Sequence, residues 1–373
     1  MSQPVDKSHP VDKSQTVDKS QTVDKSQTVD KSQTVDKSQT VDKSQTVDKS
    51  HPVVIAFLSN KLTLRGTEVA IYDYADYNEK ILGNKSIILT RDYNLIRGEY
   101  DVDAQAYQKF HSRFPVKYYD QRNPQQSIDQ IVVENQITHL FVEKSGSNDG
   151  LLSTKCKTLI HCVFVSTDPH GDVYTVLGQT INDIFNTNFP VMPYMVKLPD
   201  VSANLREELR IPADAIVFGR YGGLETFDIG FVHNAIRRIL ETRSDVYFLF
   251  MNTNQFGQHP NIRYLPGNAD MDFKRTFINT CDALIHARFG GETFELACGE
   301  FAICEKPVIT FGGSKEREHL IILKEKAVVY NNESEVYDIM NGFTKTKYDV
   351  SNNGYMFYTP ENVMGIFKKL FIE

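Results

Sequence analysis

Apolar and polar positions fall into two regimes along the 373 residues. Over residues 5–52 a hexapeptide, VDKSQT with variants such as VDKSHP, recurs with a single apolar residue, Val, in each unit. One valine in six buries too little surface to offset the ordering entropy of the backbone. A hexapeptide β-helix would need more apolar or small inward positions per turn. Residues 1–52 are therefore expected to be a disordered, charge-balanced tail. From residue 53 the pattern becomes that of a folded protein. VVIAFLS (53–59) is a continuous β-branched run, as in a strand buried on both faces of a parallel sheet. A loop, NKLTLRGTE, and a helix-like stretch ending at Gly83 follow, and then a second buried strand, KSIILT (85–90). Strands are predicted at 116–120, 138–144, 158–166 and 190–196, with helices at 124–135 and 172–185. Strands alternating with helices imply a doubly wound α/β domain.

LPDVSANLREELRIPADAIVFGRYGG (198–223) reads as a junction, with Pro199, Pro212 and a short helix at 204–209. A second α/β series then opens with the strand AIVFGRY. It continues through a helix (229–242), strands VYFLFMN and NIRYL, a helix (271–280) and the strand ALIHAR (283–288). A helix from about Thr293, strands PVITF and AVVYN, and helices at 333–342 and 360–371 complete it. The expected division is a tail (1–52), an N-terminal Rossmann-like domain (53–200), a C-terminal Rossmann-like domain (201–356), and a C-terminal helix (357–373) packing back on the N-terminal domain. Two such halves would face each other across a cleft, where open α/β sheets place ligands.

Charge narrows the function. A formal net charge of −7 and a pI near 5.8 speak against a broad nucleic-acid or anionic-membrane surface. The five cysteines are scattered without a CxxC pair, so neither a disulfide framework nor a zinc site is suggested. No apolar run reaches the length of a membrane span and no signal-peptide core is present, which points to a cytoplasmic protein.

The chemistry concentrates in GGETFELACGEFAICEKPVITF (290–311). A Gly-Gly loop after a strand leads into a helix, and Pro307 opens the next strand. A helix N-terminus there offers unpaired N–H groups to a diphosphate. Glu292 and Glu300 lie eight residues apart. On one helix they would be separated by roughly 12 Å along the axis, too far for acid–base work on one bond. The spacing suits two carboxylates holding different hydroxyl-bearing parts of one extended ligand.

Read as a whole, ETFELACGEFAICEKPVIT resembles the donor-site signature of glycosyltransferase family 4, the group-1 glycosyltransferases. Glu292, Phe294, Leu296, Glu300, Cys304, Lys306, Pro307 and Val308 fall in register with it. About seventy residues upstream, IVFGRYGG supplies Gly219 and Arg220 where the family has a basic residue after the first strand of its C-terminal domain. RGTEVAIYDYA, with Gly66, is similar to the family's glycine loop and helix after the first N-terminal strand. The resemblance implies a GT-B fold, a preceding repeat apart. It also implies a hexosyltransferase that takes a UDP- or GDP-sugar donor, retains configuration and needs neither cofactor nor metal. By it, Arg220 would bind the diphosphate, Glu292 the sugar hydroxyls and Glu300 the ribose, with the backbone of Thr293 and Phe294 beside the sugar. The acceptor would be a glycan, lipid or protein.

The sequence also departs from the family. The Lys that commonly follows the Arg within a Lys-Gly pair is missing from GGLETFDIG (222–230), and Thr293 and Glu295 replace glycines flanking the Phe. Arg288 or Lys315 is a substitute for the missing cation. His161 sits where many members carry a histidine near the acceptor, with His170, Asp168 and Glu68 as further acceptor-side candidates, while His286 reads as structural. An inert GT-B module that binds a partner or glycan, or another GT-B enzyme such as a sugar-nucleotide epimerase, remains the alternative.

Overall fold

The computed structural model describes residues 52–92 and 102–373. The expected disordered tail lies outside them apart from Pro52. The first half runs β1 (Val54–Leu58), α1 (Gly66–Lys80), β2 (Lys85–Arg91), α2 (Ala104–Arg113) and β3 (Val116–Tyr119). It continues with α3 (Pro124–Glu134), β4 (His139–Lys144), β5 (Lys157–Cys162), β6 (Val173–Val176) and α4 (Gln179–Phe185). The second half opens with β7 (Ile216–Tyr221), α5 (Gly230–Thr242), β8 (Val246–Met251), β9 (Ile262–Leu265), α6 (Met271–Thr280) and β10 (Ala283–His286). Then come β11 (Gly291–Glu292), α7 (Leu296–Ile303), β12 (Val308–Phe311), β13 (Glu316–Arg317) and α8 (Glu318–Leu323). β14 (Ala327–Tyr330), α9 (Glu333–Asn341) and α10 (Pro360–Phe367) close the chain.

Each half builds one six-stranded sheet, ordered β3-β2-β1-β4-β5-β6 and β14-β12-β10-β7-β8-β9. Every neighbouring pair within them is parallel. Counted within its own half, each sheet has the same strand order, the doubly wound order that reverses beside its first strand. The reversal falls between β1 and β4 in one sheet and between β7 and β10 in the other. Both central strands are buried along their whole length, which explains their unbroken apolar runs. In α5 the buried residues Val232, Ala235, Ile236, Ile239 and Leu240 form one stripe at helical spacing, and it covers the second sheet. After α10 the chain ends on the first sheet: the Phe367 ring lies 6.1 Å from Phe57 and 5.7 Å from Phe141, and Lys157 Nζ donates to the Phe371 carbonyl at 2.6 Å.

Several expectations are corrected. Residues 172–185 are not one helix: Val173–Val176 pair with β5 as an edge strand, and only Gln179–Phe185 are helical. Residues 190–196 form no strand beyond a single bridge from Val191 to Val176, although Met192, Tyr194, Met195 and Val196 are buried. Residues 204–209 make a turn, not a helix. The helices α2 and α8 were not anticipated. Asp103 caps α2, its carboxylate accepting from the backbone of Gln105 and Ala106. Among the described residues no helix is long and apolar enough to cross a membrane.

Candidate functional site

The C-terminal edges of the two sheets meet. Gly66, first residue of α1, stands so close to Leu296, first residue of α7, that a Cβ on it would lie 3.3 Å from Leu296 Cδ1. Thr293 Oγ1 donates to the Val163 carbonyl at 2.5 Å, and Glu318 Oε2 accepts from Thr180 N at 2.7 Å. A Cβ on Gly178 would sit 2.7 Å from the Thr293 carbonyl oxygen, so glycine is what lets the halves approach here. The groove beside the signature is thus closed down onto Thr293. Two cavities lie elsewhere on the first half. One, of about 570 Å³, opens at the opposite edge of the sheet near Val54, Lys85 and Thr138. The other, of about 210 Å³, lies beyond β1–β4 between Asn60, Arg91, Tyr119 and Asp149.

The signature helix starts later than its sequence suggests. Glu292 is drawn into β11, which pairs in parallel with Glu316–Arg317. The preceding Gly291 is at φ 73°, and a Cβ there would collide with the Glu316 carbonyl. Glu292 and Glu300 therefore do not share a helix. Glu295 caps α7 at φ 62°, ψ 73°, in the left-handed region that favours glycine, where the family signature has one. The amides of Leu296, Ala297 and Cys298 precede the first helical hydrogen bond, from Gly299 N to Glu295 O at 3.1 Å.

Arg220 is the penultimate residue of β7 and is 4% exposed. Its guanidinium donates to Asn252 O (3.2 Å), Thr253 Oγ1 (2.5 Å), Gly223 O (2.9 Å) and Thr226 Oγ1 (2.5 Å). All four acceptors are neutral, and burial brings its pKa down to about 10. Gly219 has a packing reason to lack a side chain: a Cβ would collide with Cys281 Sγ and crowd Phe301. Glu300 is 2% exposed, accepts from Tyr221 Oη, and pairs with Lys274 Nζ at 2.8 Å. Both oxygens of its carboxylate are thus engaged by protein groups.

Glu292 has a side chain 40% exposed and pairs with Arg288, four residues earlier. Thr293 and Phe294 are anchored. The Phe294 carbonyl accepts from Tyr355 Oη at 2.7 Å, and its ring is boxed by Tyr194, Tyr355 and Tyr358. Arg220 and, through Tyr221, Glu300 are thus held at the end of β7, while Thr293 and Leu296 of the signature meet Val163 and Gly66 of the first half.

His161 is not in that group. It is fully buried among Tyr74, Phe141 and Tyr194, bonded through Nδ1 to Thr175 Oγ1 at 3.1 Å, and burial lowers its pKa to about 3. A neutral core histidine is the result, contrary to the acceptor-side role expected. Asp168 and His170 lie together in the β5–β6 loop, Asp168 accepting from Asn148 N at 2.9 Å. Glu68 is buried and accepts from Thr63 and Thr67, both at 2.9 Å.

Three groups went unread in the sequence. Glu295 pairs with His286 at 3.0 Å. Burial opposes its charge, but His286, His319 and Arg288 outweigh burial and hold its carboxyl low. His286 Nδ1 lies 2.8 Å from Thr310 Oγ1, which lies 2.8 Å from His319 Nε2, so His286 is part of a buried polar chain. His286, Glu295 and Cys298 also bring ligand atoms within 4.8 Å of one another, a set able to hold a metal ion. Its signal was Glu295 standing where the family has glycine. Lys274 gave no signal, and neither did Glu143, a fully buried carboxyl in β4 that burial pushes well above its usual pKa while Tyr194 Oη donates to it at 2.5 Å.

The chain matches no protein-family model and no curated protein. Solved structures do share its architecture. A glycosyltransferase from Rickettsia africae superposes with a TM-score of 0.61 at 12% identity, over 86% of this chain and 98% of that one. HepE from Anabaena, in complex with UDP and glucose, gives 0.61 at 13% identity, over 86% and 98%. MnaA from S. aureus, with UDP, gives 0.54 at 9% identity, over 87% and 98%. At these identities the likeness defines the fold: this is a GT-B chain, two Rossmann-like halves meeting at the C-terminal edges of their sheets.

Proposed function

We propose that the chain is a glycosyltransferase moving a hexose from a UDP- or GDP-sugar to a glycan, lipid or protein acceptor. The carrying observation is the strand-order reversal between β7 and β10, the point at which open α/β sheets place ligands. Near it stand the cations Arg220 and Arg288, the Glu292 carboxylate paired with Arg288, and Glu295 at the cap of α7, whose charge acts on both arginines. Amides and guanidinium groups suit a diphosphate, and their field would stabilise the charge that grows on a departing nucleoside diphosphate. Glu292 is placed to accept from sugar hydroxyls. HepE, of the same fold, holds UDP and glucose together, which supports a donor of this kind. Transfer with retention and without a metal ion follows the resemblance to family 4 and forms part of the proposal. Mass spectrometry of a panel of UDP- and GDP-sugars incubated with the protein tests it. Release of UDP or GDP from one sugar, and its loss in Glu292→Gln, is expected; binding without release would favour the inert module, and interconversion of the sugar an epimerase.

A further inference from the structure

We propose that Arg288 is the cation that holds the donor diphosphate, and that Glu292 occupies it until the donor arrives. The inference rests on the donor-site reading above and assigns the cation within it. Arg220, the residue that sequence favours for phosphate, is 4% exposed and has four hydrogen bonds to neutral acceptors within its own half. Turning it towards a ligand would give up all four of those bonds at once. Arg288 has a side chain 28% exposed, and its ion pair partner is Glu292, itself 40% exposed. It lies close enough to Arg220, Glu295 and Glu316 for their charges to act on one another. The backbone that carries it is fixed on both sides. Ser314 Oγ donates to the Arg288 carbonyl at 2.9 Å, and Phe289 N donates to Asp228 Oδ1 at 2.7 Å. Arg288 thus stands two residues beyond the end of β10, on backbone held at both sides, with its charge acting on Glu295 at the cap of α7.

A second consideration is charge. Glu292, Glu295 and Asp228 put carboxylates around the two arginines, so a diphosphate entering an unchanged site would meet repulsion as well as attraction. Exchange of partners resolves this. The phosphate oxygens take the Arg288 fork, bidentate geometry that guanidinium suits, and the released Glu292 carboxylate turns to the sugar hydroxyls. One residue then does two things in sequence: it keeps the cation from other anions, and it reads the sugar once the phosphate has displaced it. The cation for the phosphate then comes from the segment that follows β10. Lys315, the other substitute in the sequence, is exposed on the loop before β13 and is not used.

Calorimetric titration of the full chain with UDP tests this, in wild type, Arg288→Gln, Glu292→Gln and Lys315→Gln, with folding of each checked by thermal melting. Arg288→Gln should weaken UDP at least tenfold and Lys315→Gln should leave it unchanged. Glu292→Gln should tighten UDP several-fold, because the internal competitor is gone, yet give no such gain for UDP-glucose. The Glu292→Gln arm stands on its own if Arg288→Gln does not fold. UDP binding that is unaltered in Arg288→Gln, lost in Lys315→Gln, or weakened in Glu292→Gln overturns the exchange while leaving the donor-site reading intact. A wild type that binds neither UDP nor GDP overturns both.

Discussion

Tyr221 Oη donates to Glu300 Oε2, and Tyr221 is the residue after Arg220, so one buried hydrogen bond ties the end of β7 to the signature helix. The other Glu300 oxygen is held by Lys274 of α6, whose side chain is 12% exposed. The second glutamate of the signature is therefore a junction among three elements before it is anything else.

Removing one partner at a time should separate the two bonds. Lys274→Met strands a buried carboxylate and should lower stability by about 3 kcal/mol. Tyr221→Phe removes one hydrogen bond and should cost about 1–2 kcal/mol. Chemical denaturation curves of the two variants check the order; equal and negligible shifts would mean that the junction is not closed in solution.

Glu295 stands in left-handed backbone as the cap of α7. Glu295→Gly and Glu295→Ala both delete the carboxylate that faces His286, so their difference isolates the backbone. The glycine variant should be more stable by about 1 kcal/mol. Equal stability would contradict the φ of 62° found here.

Gly219→Ala forces a Cβ against Cys281 and Phe301 inside the second half. Overpacking of this kind costs about 1–3 kcal/mol. Folded Gly219→Ala protein should still bind UDP as wild type does, since the clash is inside the sheet. A loss of UDP affinity with unchanged stability would put Gly219 at the ligand instead.

His161 supplies a pH test. Its pKa is lowered by burial to about 3 from an ordinary 6.5, so the unfolded chain binds the extra proton first. The stability it contributes is complete above 6.5 and is lost as pH falls from there towards 3. His161→Phe, an aromatic replacement among Tyr74, Phe141 and Tyr194, removes that loss. Relative to wild type it should gain up to about 1.4 kcal/mol per pH unit on acidification below 6.5. Asp73, pushed up to about 7 by burial, acts with the opposite sign but is common to both proteins and cancels. A constant difference across this range would mean that His161 is charged or exposed in the folded state.

The two-sheet architecture was legible because its central strands are buried on both faces and so carry unbroken apolar runs; β1 and β7 stand out for that reason. The helix α6 is legible to the residue, bounded by its cap Asp270 and by Cys281. Edge pieces were not legible. Val173–Val176 is only four residues long and is closely followed by α4, so its strand-forming residues were absorbed into one helical reading. The segment at 190–196 is apolar because it is buried, not because it is paired. At the site, residue types and spacing located the crevice, but they could not say which side chains face it. Glu292 left the helix because Glu316–Arg317, more than twenty residues later, pairs with it. Arg220 turned inward because carbonyls and hydroxyls from two loops surround it. His161 became core because three aromatic rings enclose it. These are long-range outcomes, and a local motif does not contain them.

The most direct test of the account is amide hydrogen exchange with and without UDP. The donor site assigned here predicts new protection confined to residues 288–303, above all at Leu296, Ala297 and Cys298, and at the start of α1 around Gly66. Protection appearing instead at the distant cavity near Val54, Lys85 and Thr138, or no change at saturating UDP and GDP, would contradict it.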